Sequence, residues 1–176
     1  KYTFTKSLVD RQNEAEKAML EEFHNGDYTL EHPLVKLNPY FINPLAAVVL
    51  FKTEEEIAVT VTVLGKEPAG NMKHTFPKAK EHILPILGLY GGYKNKVEIE
   101  LYRSEKNTIE IETEPLSDDV PKLIKMETTA SYLRDELIIV SPALSSLATG
   151  FDYQGEVRWH VNIPTVFDIK RAKNGN

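Results

Sequence analysis

Ile57-Ala58-Val59-Thr60-Val61-Thr62-Val63 is the stretch whose reading decides the fold. Ile57, Val59, Val61 and Val63 alternate with Ala58, Thr60 and Thr62. A period of two sends the branched apolar side chains to one face of a strand and the smaller or polar ones to the other. Val97, Ile99 and Leu101 repeat the pattern against Lys96, Glu98 and Glu100, and Ile109 and Ile111 repeat it against Glu110 and Glu112. These are strands with one buried face. Further strands are expected at Leu34 to Leu37, Ala46 to Thr53, Leu123 to Thr128 and Leu137 to Val140.

Turn chemistry separates these segments. Asn38-Pro39, Asn43-Pro44, Gly65 to Asn71, Gly91-Gly92, Ser104 to Asn107 and Ser117 to Pro121 supply the Gly, Pro, Asn and Ser that reversals need. The run Glu54-Glu55-Glu56 reads as a solvated hairpin tip, and Gly88, Gly91 and Gly92 mark a bend. Short strands spaced by such turns, with no βαβ alternation, predict a mainly β protein: an antiparallel β-sandwich of the immunoglobulin or fibronectin type.

One helix precedes the sandwich. Ser7 with Asp10 three residues on resembles a capping box, and Leu8, Ala15, Met19, Leu20 and Phe23 share a stripe that ends at Asn25-Gly26. The stripe is expected to dock on the protein's own core. A subunit contact through Leu8, Met19 and Phe23, making a homodimer, is the alternative use of the same face.

At the other end, Phe151, Tyr153, Val157, Trp159 and Val161 alternate across a Gln154-Gly155 turn and form a hairpin that carries the single tryptophan. The hairpin reads as the opening strands of a further domain, poorly ordered or borrowing a neighbour's sheet. The expected organisation is therefore a helix over residues 1–26, a sandwich over 27–140, a Ser- and Ala-rich linker over 141–149, and truncated first strands over 150–176.

Composition narrows the function classes. The 176 residues suit one ordinary domain, which buries roughly 70% of its unfolded surface. A net charge of −5 without clustered Lys or Arg argues against nucleic acid. No segment reaches the ~20 apolar residues of a membrane helix. The absence of cysteine removes thiolate nucleophiles, disulfides and cysteine metal sites. The start at Lys1 reads as a trimmed or processed amino terminus.

Residue chemistry offers no catalytic set. His24, His32, His74, His82 and His160 are the only groups that titrate near neutrality, and no two stand four residues apart. They read as structural or surface histidines, with His74 and His82 at strand ends and turns. Glu98 and Glu100, like Glu110, Glu112 and Glu114, share solvent faces of strands, where nothing would separate their pKa values for acid and base roles. The glycines at 88, 91 and 92 match neither the phosphate loop nor the dinucleotide fingerprint. The serines within Ser141 to Ser146 lack the strand-turn-helix setting of an activated nucleophile. No catalytic, metal or cofactor residue is assigned.

Two stretches carry a likeness. Tyr28-Thr29-Leu30-Glu31-His32-Pro33-Leu34-Val35, running on to Asn38-Pro39-Tyr40 and Pro44-Leu45-Ala46-Ala47-Val48-Val49-Leu50-Phe51 and followed by His74-Thr75-Phe76, resembles the amino-terminal domain of bacterial aryl-sulfate sulfotransferases. His82-Ile83-Leu84-Pro85-Ile86-Leu87-Gly88-Leu89-Tyr90, then Asn95 and Val97 to Leu101, continues it. Phe151-Asp152-Tyr153, Gly155, Val157-Arg158-Trp159 and Lys173-Asn174-Gly175-Asn176 are similar to the start of that family's β-propeller.

The resemblance implies a two-domain exported enzyme, periplasmic or at the cell surface. It would pass a sulfuryl group from a phenolic sulfate ester to another phenol through a histidine nucleophile. Donor and acceptor would bind in the propeller, beyond Asn176, and this part alone would be inactive. A different class of function is a surface adhesion or carbohydrate-binding sandwich, with Tyr40, Phe41, Tyr90, Tyr93 or Tyr102 stacking on a sugar.

Overall fold

The computed structural model describes residues 6–127, 136–141 and 147–163. Helix α1 spans Leu8–Asn25. Ser7 caps it by accepting the Asp10 amide at 3.1 Å on Oγ, satisfying one of the donors that a helix start leaves open. Among the described residues eight strands follow: β1 Leu34–Leu37, β2 Ala46–Val63, β3 Met72–Leu87, β4 Lys94–Leu101, β5 Lys106–Glu112, β6 Ile138–Val140, β7 Thr149–Phe151 and β8 Val157–His160.

Strands β1 to β5 form one antiparallel sheet in which β1, β2, β4 and β5 follow in order and β3 lies along β2. The long β2–β3 hairpin organises it. Along its first half, β2 lies between β1 and β3, and along its second half between β4 and β3. Register shifts between Lys52 and Val59 mark the change, where β2 holds two more residues than β3 between the pairs Lys52–Glu81 and Val59–Phe76. Extra residues in one strand bend it and raise its twist. Both halves accordingly feed one core, with Ala47, Val49 and Phe51 from one and Val59, Val61 and Val63 from the other, closed by Val97, Ile99 and Ile111.

The two halves of β2 differ in sequence because they differ in cover. Val48 and Leu50, on the opposite face from Val49, are buried beneath Met19 and Phe23 of α1. That half is covered on both faces, which a continuous apolar run such as residues 46–51 serves. The second half has one buried face, and Thr60 and Thr62 stay half-exposed between buried valines. Helix α1 thus uses its stripe within the chain.

Several sequence expectations need correction. Glu54-Glu55-Glu56 is no hairpin tip: it lies inside the 18-residue β2, at the register shift, with all three side chains exposed. The 16-residue β3 goes unseen in the sequence, because two prolines and a polar first half hide its alternation; His74 and His82 are strand residues within it, not turn residues. No strand forms over residues 123–127, and Ile124 is almost fully exposed.

The second sheet is small, with β7 central between β6 and β8. The hairpin of β7 and β8 turns at Gln154-Gly155 as expected, and Gly155 holds a positive φ of 82°. Its buried face is reversed on β8, however, where Arg158 and His160 point inward and Val157 and Trp159 are half-buried. A charged residue can occupy the inward position because carbonyls of the turns on either side of β3 and a carboxylate of the hairpin receive its donors.

Candidate functional site

Tyr90 anchors the contact between the sheets. It lies in the β3–β4 connection at 1% exposure, and its backbone is gripped by Asn95 at the start of β4. Asn95 Oδ1 accepts the Tyr90 amide at 2.8 Å, while Asn95 Nδ2 donates to the carbonyls of Tyr90, Tyr93 and Ile111. Thr113 Oγ1 donates to the Tyr90 carbonyl as well. A non-repetitive loop buried this deeply needs such partners, because its backbone has no ladder to satisfy it.

The phenol of Tyr90 then meets Arg158 from β8. The guanidinium carbon lies 4.0 Å from the centre of the Tyr90 ring, and Nη1 donates to Tyr90 Oη at 2.9 Å. The same Nη1 donates to the Gly70 carbonyl at 2.8 Å and to Asp152 Oδ2 at 3.0 Å, while Nε donates to the Gly88 carbonyl at 2.8 Å. Arg158 is fully buried and Asp152 nearly so. Asp152 Oδ1 accepts the amides of Gln154 and Glu156, so both carboxylate oxygens are committed. Lys66 closes the rim, donating its amide to Tyr90 Oη at 3.1 Å and pairing its Nζ with Glu156 at 2.9 Å.

Two glycines make room for this packing. A Cβ on Gly70 would fall 2.8 Å from Tyr90 Oη and 2.9 Å from Gln154 Oε1. Gly88 has a φ of 83°, and a Cβ there would lie 2.2 Å from Met72 Sδ. Only glycine lets both carbonyls approach the guanidinium.

The cluster holds no pairing of nucleophile and base. Arg158 binds carbonyls and a carboxylate, and its chemistry is to fasten the β7–β8 hairpin to the first sheet. Among the described residues, no three histidines or carboxylates gather into a metal-binding group.

Residues 34–117 match the family model of the arylsulfotransferase Ig-like domain. Over that segment the chain is similar to an arylsulfotransferase Ig-like domain. The match runs from β1 through Ser117, just past β5, and so covers the whole first sheet, including Asn95, Tyr90 and Gly88. Arg158 and Asp152 lie outside it, and Arg158 reaches into the matched segment at Gly70, Gly88 and Tyr90. None of the curated proteins matches the chain.

The candidate residues of the sequence reading are scattered over this domain. His82 is buried in β3, with Nε2 3.0 Å from Thr53 Oγ1 and its ring stacked on Phe51. Burial holds its pKa below the ordinary histidine value. His160, buried in β8, is shifted down for the same reason, partly offset by the backbone of Val161. His24 is exposed, 3.6 Å from Glu81, and His32 and His74 are exposed too. The carboxylate rows pair with lysines instead of each other, Glu98 with Lys106 at 2.7 Å and Glu110 with Lys94 at 3.6 Å.

The aromatics do not converge on a sugar platform. Tyr90 is buried, Tyr93 meets it edge-on, Tyr40 bonds Glu16 beside the helix, and Phe41 and Tyr102 stack under Arg11 and Arg103. Pro142 to Ser146 and Lys173 to Asn176 lie outside the described residues. Arg158 and Asp152 were missed as a pair because a charged residue at an alternating position reads as solvent-facing. The available signal was Asp152 at the hairpin start, where an Asx turn precedes Gln154-Gly155.

Proposed function

We propose that this chain is the accessory amino-terminal part of an arylsulfotransferase. In this reading the enzyme moves a sulfuryl group from a phenolic sulfate ester to another phenol, through a histidine of a propeller outside the chain. Residues 27–140 would be the Ig-like unit, 141–149 a connector, and 150–176 the first strands of the catalytic unit. The observation that carries the reading is the family match over a sheet whose histidines stand apart. The Arg158 cluster supports it further, since a fully buried ion pair that fastens β7–β8 to the Ig-like domain suits a scaffold that fixes the attitude of a neighbouring catalytic unit.

An extracytoplasmic location belongs to the same proposal, and no helix of the described residues is long and apolar enough to cross a membrane. A homodimer would have to form without the Met19 and Phe23 face, which is occupied within the chain. The decisive assay incubates the purified chain with 4-nitrophenyl sulfate and phenol. No nitrophenol release is expected, and sustained turnover that survives repurification would overturn the assignment.

A further inference from the structure

A cleft of about 410 Å³ opens where the two sheets meet, bounded by Gly70, Asn71, Met72 and Lys73 at the start of β3 and by Asp152 and Arg158 of the second sheet. Its polar lining is unevenly committed. Both oxygens of Asp152 are taken, by Arg158 and by the amides of Gln154 and Glu156. Glu136, the other carboxylate on the cleft, is engaged in interactions of its own. The donors are different. Arg158 Nη2 is buried without a hydrogen-bond partner, although Nε and Nη1 of the same group make four bonds between them. Asn71 Oδ1 accepts the Gly65 amide at 2.8 Å, which leaves its Nδ2 as a donor. Lys73 is exposed on the cleft and makes no ion pair among the described residues.

An arginine nitrogen stripped of water and left without an acceptor is costly, and a buried polar group of this kind asks for a ligand that can accept. The Arg158–Asp152 pair is internally neutral, so the cation that remains on the cleft is the ammonium of Lys73. We propose that this cleft binds a small oxyanion of the carboxylate or sulfate type, with Arg158 Nη2, Asn71 Nδ2 and Lys73 Nζ as its donors. Charge-assisted hydrogen bonds from a guanidinium and an ammonium are the strong ones for such an acceptor. Met72 lines the same cleft beside them. The inference is independent of the enzymatic reading, since it needs neither a donor ester nor a propeller.

The Arg158 Nε–H, held on the Gly88 carbonyl and buried, is protected from exchange and gives a side-chain NMR signal to follow. The ¹⁵N-labelled chain is titrated with sodium sulfate and, separately, with sodium acetate, each against sodium chloride at equal ionic strength. A saturable shift with sulfate or acetate is expected, and an acetate response without a sulfate one identifies a carboxylate, as on an acidic side chain, as the occupant. Lys73→Ala and Asn71→Ala, at exposed positions that leave the backbone amide spectrum of the core unchanged, should each weaken the binding by about tenfold. Shifts that merely follow ionic strength, no shift with either ion, or undiminished affinity in both variants would overturn the proposal.

Discussion

Arg158 Nη1 lies 3.0 Å from Asp152 Oδ2, and the two side chains are 0% and 7% exposed, so the chain keeps a desolvated ion pair at the seam between its sheets. Removing one partner of such a pair strands the other charge, which costs about 3–5 kcal/mol. Asp152→Ala should therefore lower unfolding stability by about that amount. Arg158→Met should cost less, because Asp152 keeps two backbone amides and the methionine fills the space. Urea titration followed by Trp159 fluorescence measures both, and equal losses in the two variants would contradict the account.

Asn95 is the second lever. Its side chain satisfies one amide and three carbonyls around the buried Tyr90 loop. Asn95→Ala strands the Tyr90 amide and removes a donor from each carbonyl, but Thr113 still donates to the carbonyls of Tyr90 and Tyr93, so the main cost is about 1–3 kcal/mol for the amide that water cannot reach. A loss of about 1–3 kcal/mol is expected, together with faster amide exchange at Tyr90. A loss below about 1 kcal/mol would show that water replaces the side chain there.

The two buried histidines set an acid limit on stability. Both imidazoles are held below the ordinary value by burial. The unfolded chain therefore protonates them near pH 6.5 while the folded chain still resists, and stability falls as pH drops through that region until the folded values are reached. Each histidine adds a slope of at most about 1.4 kcal/mol per pH unit, and neither adds slope above about pH 7.5. Urea midpoints measured from about pH 7.5 to about pH 5.5 should decline, and His82→Leu should flatten part of the decline. An unchanged profile in that variant would mean that His82 titrates normally in the folded state.

Helix α1 is held by Phe23 and Met19 against Val48 and Leu50. Phe23→Ala should cost about 3–5 kcal/mol if helix and sheet unfold together. Met19→Asp would place a carboxylate in the same apolar cluster and release the helix to protease while leaving the β2–β4 amides protected. A protease-resistant helix in Met19→Asp would show that the contact carries little of the docking energy.

The strands with one dry face were legible in the sequence. Thr60 and Thr62 between Val59, Val61 and Val63 announce which way the chain faces, and the structure agrees. The doubly covered half of β2 was legible as a strand, though not its continuity, because Glu54 to Glu56 look like a tip when the bend that keeps them in solvent is unseen. β3 escaped because Lys73, His74, Thr75, Lys78, Lys80 and Glu81 face water along an outer strand. Leu123 and Ile124 read as strand by composition, but among the described residues no neighbour pairs with them. The seam was the least legible part. Tyr90, Arg158 and Gly70 are brought to Asp152 only by tertiary folding, and apart from the Asx turn at Asp152 no local pattern marks them.

The outer side of β3 has one further consequence. Among the described residues this strand pairs only with β2, so sixteen residues present one unoccupied row of backbone groups. Such a row recruits other chains into fibres unless something obstructs it. Pro77 and Pro85 each delete an amide hydrogen and add a ring, and Lys73, Lys78 and Lys80 would repel a second copy laid alongside in parallel. The residues that hid this strand from the sequence reading are thus the ones that guard it against self-templated aggregation, and exchanging both prolines for valine would favour precipitation before it altered the fold.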